Sequence, residues 1–124
     1  MSRTPSADVM VGPPRNYLRP CLLLLLAEGT SHGYELLEQM SALGLDRVDP
    51  GGLYRCLRAM DVEGLVHSTW APSTTGPARR TYSLTALGRD RLDATARALV
   101  GAQLMLSTYQ QRHARLATSV HPLP

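Results

Sequence analysis

The first strongly apolar segment contains five consecutive leucines between Cys21 and Ala27. We predict a helix from about Tyr17 to Ala27, with Asn16 as its N-cap and Pro20 tolerated in the first turn. This helix has no polar face over two turns. A helix that is apolar all round must be buried on most sides, which indicates a subunit contact in addition to the core.

A shorter amphipathic segment follows, which Thr30 or Ser31 would cap. Its helix reaches about Leu43 and ends at Gly44, a typical stop signal. The residues predicted to face inward are Leu36, Leu37 and Met40, and those predicted to face outward are Glu35, Glu38 and Gln39.

The third predicted helix starts with Asp49 as N-cap and Pro50 at the first helical position. It runs to about Glu63, and Gly64 ends it. One face carries Leu53, Leu57 and Met60, which are spaced four and three residues apart.

Two runs of near-alternating apolar and polar residues, 65–70 and 79–84, flank a turn-forming stretch of Pro, Ser, Thr and Gly. This pattern predicts a β-hairpin with a long loop. Thr85 then caps a long helix whose apolar stripe consists of Leu92, Ala96, Leu99 and Leu106. At ~1.5 Å per residue this helix spans roughly 40 Å, too long for so small a domain to cover, so its stripe needs a partner chain.

The predicted order of three helices, a hairpin and a fourth helix is that of a winged helix-turn-helix with a long C-terminal dimerisation helix. The fold class is mainly α (α+β). We divide the chain into a flexible N-terminal arm (1–15), a winged helix-turn-helix domain (16–85), the dimerisation helix (86–115) and a loose tail (116–124).

Composition is consistent with one domain that has a modest core. The chain has 124 residues, of which 44% are hydrophobic and 19% charged, and it contains no phenylalanine. Small domains bury a lower fraction of their surface, so such a core often depends on a second subunit.

The net charge of +3 is compatible with an anionic partner such as nucleic acid, although solvation of the surface explains such a balance equally well. All 13 basic residues are arginine. Cys21 and Cys56 have no CxxC spacing, which favours reduced core thiols and leaves a redox-sensing pair as the alternative. The four histidines show no metal-ligand spacing, so we predict neither a metal nor a cofactor.

The apolar run at 21–27 is far shorter than the ~20 residues that span a bilayer. Residues 1–19 are polar and contain proline, unlike a secretory leader. We therefore expect a cytoplasmic protein without a membrane partner.

The start of the third helix carries residues that a core helix does not need. Gly51 and Gly52 have no bulk, so the positive end of the helix dipole can approach a phosphate closely. Tyr54, Arg55 and Arg58 lie off the core face, where arginine can hold a phosphate or read a guanine and tyrosine can donate to a phosphate. The alternative is that Tyr54 packs in the core and both arginines are merely solvated.

Two further features point toward DNA. Arg79 and Arg80 lie on the wing, which would touch the flanking backbone or minor groove; a solvated charge pair is the alternative. His32, Gly33 and Tyr34 place small and hydrogen-bonding residues at the start of the second helix. The complete predicted DNA-binding set is His32, Gly33, Tyr34, Pro50, Gly51, Gly52, Tyr54, Arg55, Arg58, Arg79 and Arg80.

Residues 22–40, 49–66 and 76–92 together resemble the PadR family of bacterial transcriptional regulators. The motifs HGYEL and GGLYRCLRAMDVEGL are its most specific parts, and the single C-terminal helix resembles the short subfamily. The resemblance implies a homodimeric winged-helix repressor on a palindromic operator, with a dimer built from the first and last helices. It also implies that Tyr34 and Tyr54 lie near the DNA backbone.

The sequence departs from the family at two points. Arg55 stands where the family usually has proline, which adds a candidate phosphate or base contact. The family's effector pocket sometimes has a tryptophan on the last helix, whereas Trp70, the only tryptophan here, lies on the predicted wing.

The resulting hypothesis is a sequence-specific DNA-binding repressor that a small-molecule effector releases. The candidate effector-binding residues are Tyr17, Leu104, Met105 and Tyr109, with plain dimer core as their alternative role. The candidate dimer contacts are Leu22, Leu25, Leu92, Leu99 and Leu106. A winged-helix module that binds another protein is the alternative function. We predict no enzyme, since no catalytic arrangement of residues is present.

Overall fold

The computed structural model describes residues 16–72 and 75–119. The predicted arm at 1–15 and the last residues of the predicted tail, 120–124, lie outside them. The helices are α1 (Leu18–Ala27), α2 (Gly33–Gln39) with a 3₁₀ turn at Met40–Leu43, α3 (Pro50–Val62) and α4 (Ala86–Ser119). The strands are β1 (Val66–Ala71) and β2 (Arg79–Leu84). This order confirms the predicted winged helix-turn-helix with a long C-terminal helix.

Local chemistry explains most of the boundaries. The Asp49 carboxylate accepts the amide of Gly52 at 3.1 Å, as an N-cap should, and Pro50 begins α3. Gly44 and Gly64 take positive φ angles of 92° and 81° where helices end, a conformation that glycine adopts without strain. The Thr85 hydroxyl accepts the amide of Gly88 at 3.0 Å, so this predicted cap is confirmed.

Two other predicted caps are wrong. Asn16 has a φ of 61° and precedes Tyr17, which takes the cap position of α1 without a side-chain hydrogen bond. The cap position of α2 belongs to His32 rather than to Thr30 or Ser31. The physical reason is that the backbone at residues 31 and 32 remains extended to pair with β2, so the helix starts later.

The wing is a two-stranded antiparallel sheet extended by one short contact. Its register pairs Val66 with Leu84 at the base and Ala71 with Arg79 at the outer end. Residues 31 and 32 lie along the free edge of β2: the amide of Tyr82 donates to the carbonyl of residue 31 at 2.9 Å, and residue 32 forms an isolated bridge with residue 81. The start of α2 is therefore fixed to the wing.

The core lies where α1 packs against α2, α3, the base of the hairpin and the first turns of α4. Within the described part of the chain, every buried hydrophobic residue belongs to this cluster and no polar or charged side chain is buried. Its members are Cys21, Leu22, Leu23, Leu25, Leu26, Leu36, Met40, Leu53, Leu57, Met60, Leu65 and Val66. Both cysteines are free thiols, and burial raises the pKa of each.

This core corrects part of the predicted dimer interface. Leu22 and Leu25 are buried by the chain itself and offer no surface to a second subunit. The reason is that α2, α3, the hairpin and the start of α4 already surround the leucine run on most sides. Among the leucines of α1, Leu24 is exposed and Leu18 is half-buried.

The long helix α4 starts inside the domain and then leaves it. Gly88 is buried so close to the residue that precedes β1 that an added Cβ would overlap the carbonyl oxygen of Leu65. Leu92 and Leu99 are half-buried, whereas Leu106 is exposed. Helical structure continues to Ser119, so residues 116–119 are not the loose tail that the sequence suggested. None of the described helices is long and apolar enough to cross a membrane.

Candidate nucleic-acid interface

A surface cavity of about 400 Å³ lies between the start of α2, the first turns of α3 and strand β2. Its lining residues are His32, Gly33, Tyr34, Tyr54, Arg79, Arg80 and Tyr82. Six of these belong to the DNA-binding set predicted from the sequence. The fold thus brings together residues that lie up to 50 positions apart, on one polar and aromatic surface.

Tyr54 leans on the start of α2 rather than entering the core. Its side chain is 40% exposed, and its ring covers the buried Gly33. A Cβ built on Gly33 would lie 2.5 Å from Cε1 of the Tyr54 ring, closer than two carbon atoms can pack. The absence of a side chain at Gly33 therefore leaves the space that the Tyr54 ring occupies.

Tyr34 connects the second helix to the wing. Nη1 of Arg79 donates a hydrogen bond to the Tyr34 hydroxyl at 2.8 Å, and the guanidinium carbon lies 5.1 Å from the centre of the Tyr34 ring. The ring of His32 stacks with the Tyr34 ring at a centroid distance of 5.9 Å. Stacking and hydrogen bonding together give Arg79 a defined position at the rim of the cavity.

Arg80 is held by a different set of contacts. Its Nη2 donates to the Ser68 hydroxyl at 2.8 Å, and that hydroxyl donates to the Asp61 carboxylate at 2.7 Å. The guanidinium also lies over the Trp70 ring at 5.1 Å. These contacts join the last turn of α3 to both strands of the wing.

Tyr82 was missed by the sequence analysis. It is half-buried at the floor of the cavity, and burial raises the pKa of its hydroxyl, while the positive charges of Arg80 and Arg58 act in the opposite direction. The alternation in β2 could have found it, because Tyr82 shares a face with Arg80 two residues away.

The remaining predicted residues lie at the start of α3, outside the cavity. Nη2 of Arg55 reaches back to the Asp49 carboxylate at 3.5 Å, in a pair that is mostly exposed. A Cβ on Gly52 would make only ordinary contacts, at 3.6 Å or more, so the packing of the chain does not require glycine there. Pro50 and Gly51 are exposed at the same helix end. The end of the helix is thus open to a ligand.

Arg58 is exposed one turn further along α3. Its guanidinium forms no hydrogen bond or ion pair with any residue in the described ranges, and its charge acts on Tyr82. Exposed arginines with unused donors suit phosphate contacts. Arg58 is such a residue.

The four candidate effector residues are not brought together in a single chain. Tyr17 lines a narrow cavity of about 90 Å³ between α1 and α4, together with Leu92 and Leu99. Met105 and Tyr109 line a separate surface cavity of about 450 Å³ further along α4, and Leu104 lines neither. Met105 lies six positions beyond Leu99 on the helix, a rise of roughly 9 Å. Because the two groups of residues lie apart in one chain, the predicted pocket requires a second subunit.

The described residues contain no group of three or more His, Cys, Asp or Glu side chains that could hold a metal ion. A surface cavity of about 590 Å³ beside α1 is lined by Arg19, Arg91, Cys56 and neighbouring residues. Arg19 donates to both carboxylate oxygens of Glu63 at its edge, and these bonds hold the pKa of Glu63 below its usual value.

Comparison with solved structures finds the same fold repeatedly. A PadR-like transcriptional regulator from Bacillus cereus is 26% identical, with a TM-score of 0.70 over 78% of this chain and 94% of its own. A PadR family transcription regulator from Clostridium difficile gives 0.69 at 21% identity, over 77% of this chain and 99% of its own. A conserved protein described as a potential transcriptional factor gives 0.73 at 29% identity, over 88% and 99%.

No curated protein matches the chain. A family model, by contrast, matches residues 22–94, which is more than half of the sequence and extends from the second turn of α1 into the first turns of α4. Its description is the transcriptional regulator PadR-like family, whose members are regulators and not enzymes. With the winged helix-turn-helix and its polar, arginine-bearing surface, this match establishes that the chain belongs to the PadR-like family of DNA-binding transcriptional regulators.

Proposed function

We propose that the protein is a homodimeric repressor that binds a palindromic operator and leaves it when a small molecule binds. The observation that carries the DNA contact is the clustering of His32, Tyr34, Tyr54, Arg79 and Arg80 around one surface cavity. These residues come from the start of α2, from α3 and from the wing, the three elements that a winged helix presents to DNA.

The contacts of this proposal divide into two kinds. Arg58 and Arg80 bind phosphates, since both guanidinium groups are exposed and keep unused donors. Arg55 and the open start of α3 enter the major groove, where helix-turn-helix proteins place the N-terminal part of this helix. Arg79 is held by Tyr34 and contacts the flanking backbone from the wing.

Dimerisation rests on the second half of α4. This part of the helix exposes a large apolar surface, and such surfaces on proteins usually mark an interaction site. We therefore assign it to an interface with a second copy of the chain. Its exposed apolar side chains are Val100, Leu104, Met105, Leu106, Tyr109 and Leu116. A two-fold symmetric dimer places two recognition helices on DNA in inverted orientation, which requires a palindromic operator.

The effector part of the proposal also depends on the dimer. Tyr17 at the start of α1 meets Met105 and Tyr109 only across subunits, because they lie apart in one chain. An apolar ligand in the resulting pocket would change the angle between the subunits, and with it the spacing of the recognition helices. We assign the domains accordingly, residues 16–85 to DNA binding and α4 to dimerisation, and place the protein in the cytoplasm with its operator.

The deciding experiment is fluorescence anisotropy of the protein on DNA from its own upstream region, against a scrambled duplex of equal length. Tight binding with a large preference for the native duplex supports the proposal. Weak and equal binding to both duplexes, which disappears with added salt, would instead favour a winged helix that serves a protein partner.

Arg58→Ala sharpens this measurement, because each lost phosphate contact lowers the salt slope of log K by about 0.9 per protomer. Arg97→Ala is the matched control, since Arg97 is an exposed arginine on α4, away from the cavity. An equal change of slope in both variants would contradict a phosphate contact at Arg58.

A further inference from the structure

Arg80 is a wing residue whose side chain is held by contacts within the hairpin. The register places it opposite Trp70, yet its guanidinium reaches diagonally to Ser68, two residues nearer the base of the hairpin. Ser68 in turn donates to Asp61 on the last turn of α3, at 2.7 Å. A continuous chain of hydrogen bonds therefore runs from the recognition helix to the wing arginine.

This chain orders a side chain that is otherwise flexible. An exposed arginine loses much rotamer freedom when it binds a phosphate, and this loss weakens binding unless the side chain is ordered beforehand. Among the described residues, Ser68 is the hydrogen-bond acceptor of Arg80, and one of its five N–H donors is used there. The other donors remain for a ligand, and the Trp70 ring covers one face of the guanidinium.

We propose that Ser68 and Asp61 are positioning residues, which hold Arg80 in place for its contact with DNA. Ser68 acts directly through its hydroxyl, and Asp61 acts through Ser68 by orienting that hydroxyl so that its lone pairs face the guanidinium. The proposal rests on the DNA-binding function proposed above and adds two residues that do not themselves contact DNA.

The test compares two hydroxyl deletions on neighbouring positions of β1. Ser68→Ala removes the partner of Arg80. Thr69→Ala is the matched control, because the Thr69 hydroxyl bonds to that of Thr81 at 2.9 Å, on the other face of the hairpin and away from Arg80. We expect operator affinity to fall about 3- to 10-fold for Ser68→Ala, the size of one net hydrogen bond, and less than about 2-fold for Thr69→Ala.

A double-mutant cycle separates positioning from a general structural effect. In an Arg80→Ala background, Ser68→Ala should have no further effect on operator affinity, because there is no guanidinium left to hold. Asp61→Ala should weaken binding only when Arg80 is present, although removing a negative charge would by itself tighten the binding of DNA. Equal losses with and without Arg80 would overturn the proposal.

A second readout needs no DNA. Trp70 is the only tryptophan of the chain, so its fluorescence reports whether the guanidinium still covers its ring. We expect acrylamide to quench Ser68→Ala more than the wild type or Thr69→Ala, in the direction of Arg80→Ala. Unchanged quenching would overturn the positioning role even if DNA binds. Changed quenching in a protein that never prefers its operator would instead reject the proposed function.

Discussion

Helix α1 and the second half of α4 are both rich in large apolar side chains, but the chain covers only one of them. Leu22 in α1 is 0% exposed, whereas Leu106 in α4 is 61% exposed. Helices α2 and α3, the hairpin and the first half of α4 surround α1, while the second half of α4 extends beyond every other described element after about residue 100. An apolar run in the sequence therefore indicates that the side chains of a helix must be buried. The tertiary arrangement decides whether the same chain or a second chain buries them.

The two apolar regions therefore determine different properties of the protein. The core around α1 determines whether one chain folds. The apolar surface of α4 determines whether folded chains associate, in the dimer proposed above. Substitutions that separate these two outcomes test whether the distinction is correct.

The largest effect is expected for Leu22→Ala. The substitution leaves a cavity among closely packed leucines, which costs about 2–5 kcal/mol of the free energy of unfolding. Val62→Ala is the control, because Val62 is 85% exposed at the end of α3 and should change stability by about 0.5 kcal/mol or less. Urea denaturation followed by circular dichroism measures both, and similar losses would mean that α1 is not the centre of the core.

Leu106→Asp should leave the winged helix folded and dissociate the dimer. Placing an unpaired carboxylate in an apolar seam costs several kcal/mol, so the dimer Kd should rise about 100-fold or more. Sedimentation velocity measures association, and circular dichroism checks the helical content.

The matched control for this change is Arg115→Asp. Nine residues further along the helix, at ~100° each, Arg115 lies on the side opposite Leu106 and is exposed. It receives the same side chain more than two turns beyond Leu104 and outside the stripe of Leu99 and Leu106. A Leu106→Asp protein that sediments like Arg115→Asp would place the dimer seam elsewhere.

The sequence predicted those parts of the fold that depend on neighbouring residues. Asp49 and Pro50 start α3, and Gly44 and Gly64 end helices, because capping bonds and positive φ angles are properties of a few adjacent residues. The predicted strands, 65–70 and 79–84, lie within one residue of β1 and β2, because alternation is also a local pattern. Asn16 failed as a cap because it adopts a positive φ that turns the chain before α1.

The contacts that the sequence could not predict join distant positions. The bond between Arg79 and Tyr34 spans 45 residues, and Ser68 meets Asp61 and Arg80 only after the wing folds onto α3. Whether a leucine of α1 faces its own chain or a partner is equally a tertiary property. The candidate DNA residues were found from their types and positions, but their mutual geometry was not.

Gly33→Ala tests the candidate DNA-binding surface, which a single chain forms without a partner. The new Cβ would overlap the Tyr54 ring, which must move because it is the flexible end of an exposed side chain. We expect unchanged thermal stability and association, with operator affinity lowered about 3- to 10-fold, the size of one displaced polar contact.

Gly101→Ala is the control for that substitution. No atom lies within 4 Å of its added Cβ, and alanine in the middle of α4 should raise stability by up to about 1 kcal/mol. Its operator affinity should equal that of the wild type in the same anisotropy titration. If Gly33→Ala also binds normally, then the position of Tyr54 has no role in DNA binding.

The smallest effect is expected at the surface link between α1 and α3, where Arg19 binds Glu63 through two bonds of 2.7 and 2.8 Å. These bonds lower the pKa of Glu63 in the folded chain. A carboxylate with a lowered folded-state pKa stabilises the fold above its unfolded pKa, and the contribution disappears as the pH falls through the folded value. Glu63→Gln should therefore be slightly less stable than the wild type at neutral pH, and the difference should disappear once the pH falls below the lowered folded-state pKa of Glu63. Glu38→Gln, at an exposed glutamate of α2 without an ion pair in the described residues, is the control in the same pH series of urea denaturations. A stability difference for Glu63→Gln that stays constant with pH would show that the ion pair is not its cause. The packing of α1 on α3 would then depend on apolar contacts alone.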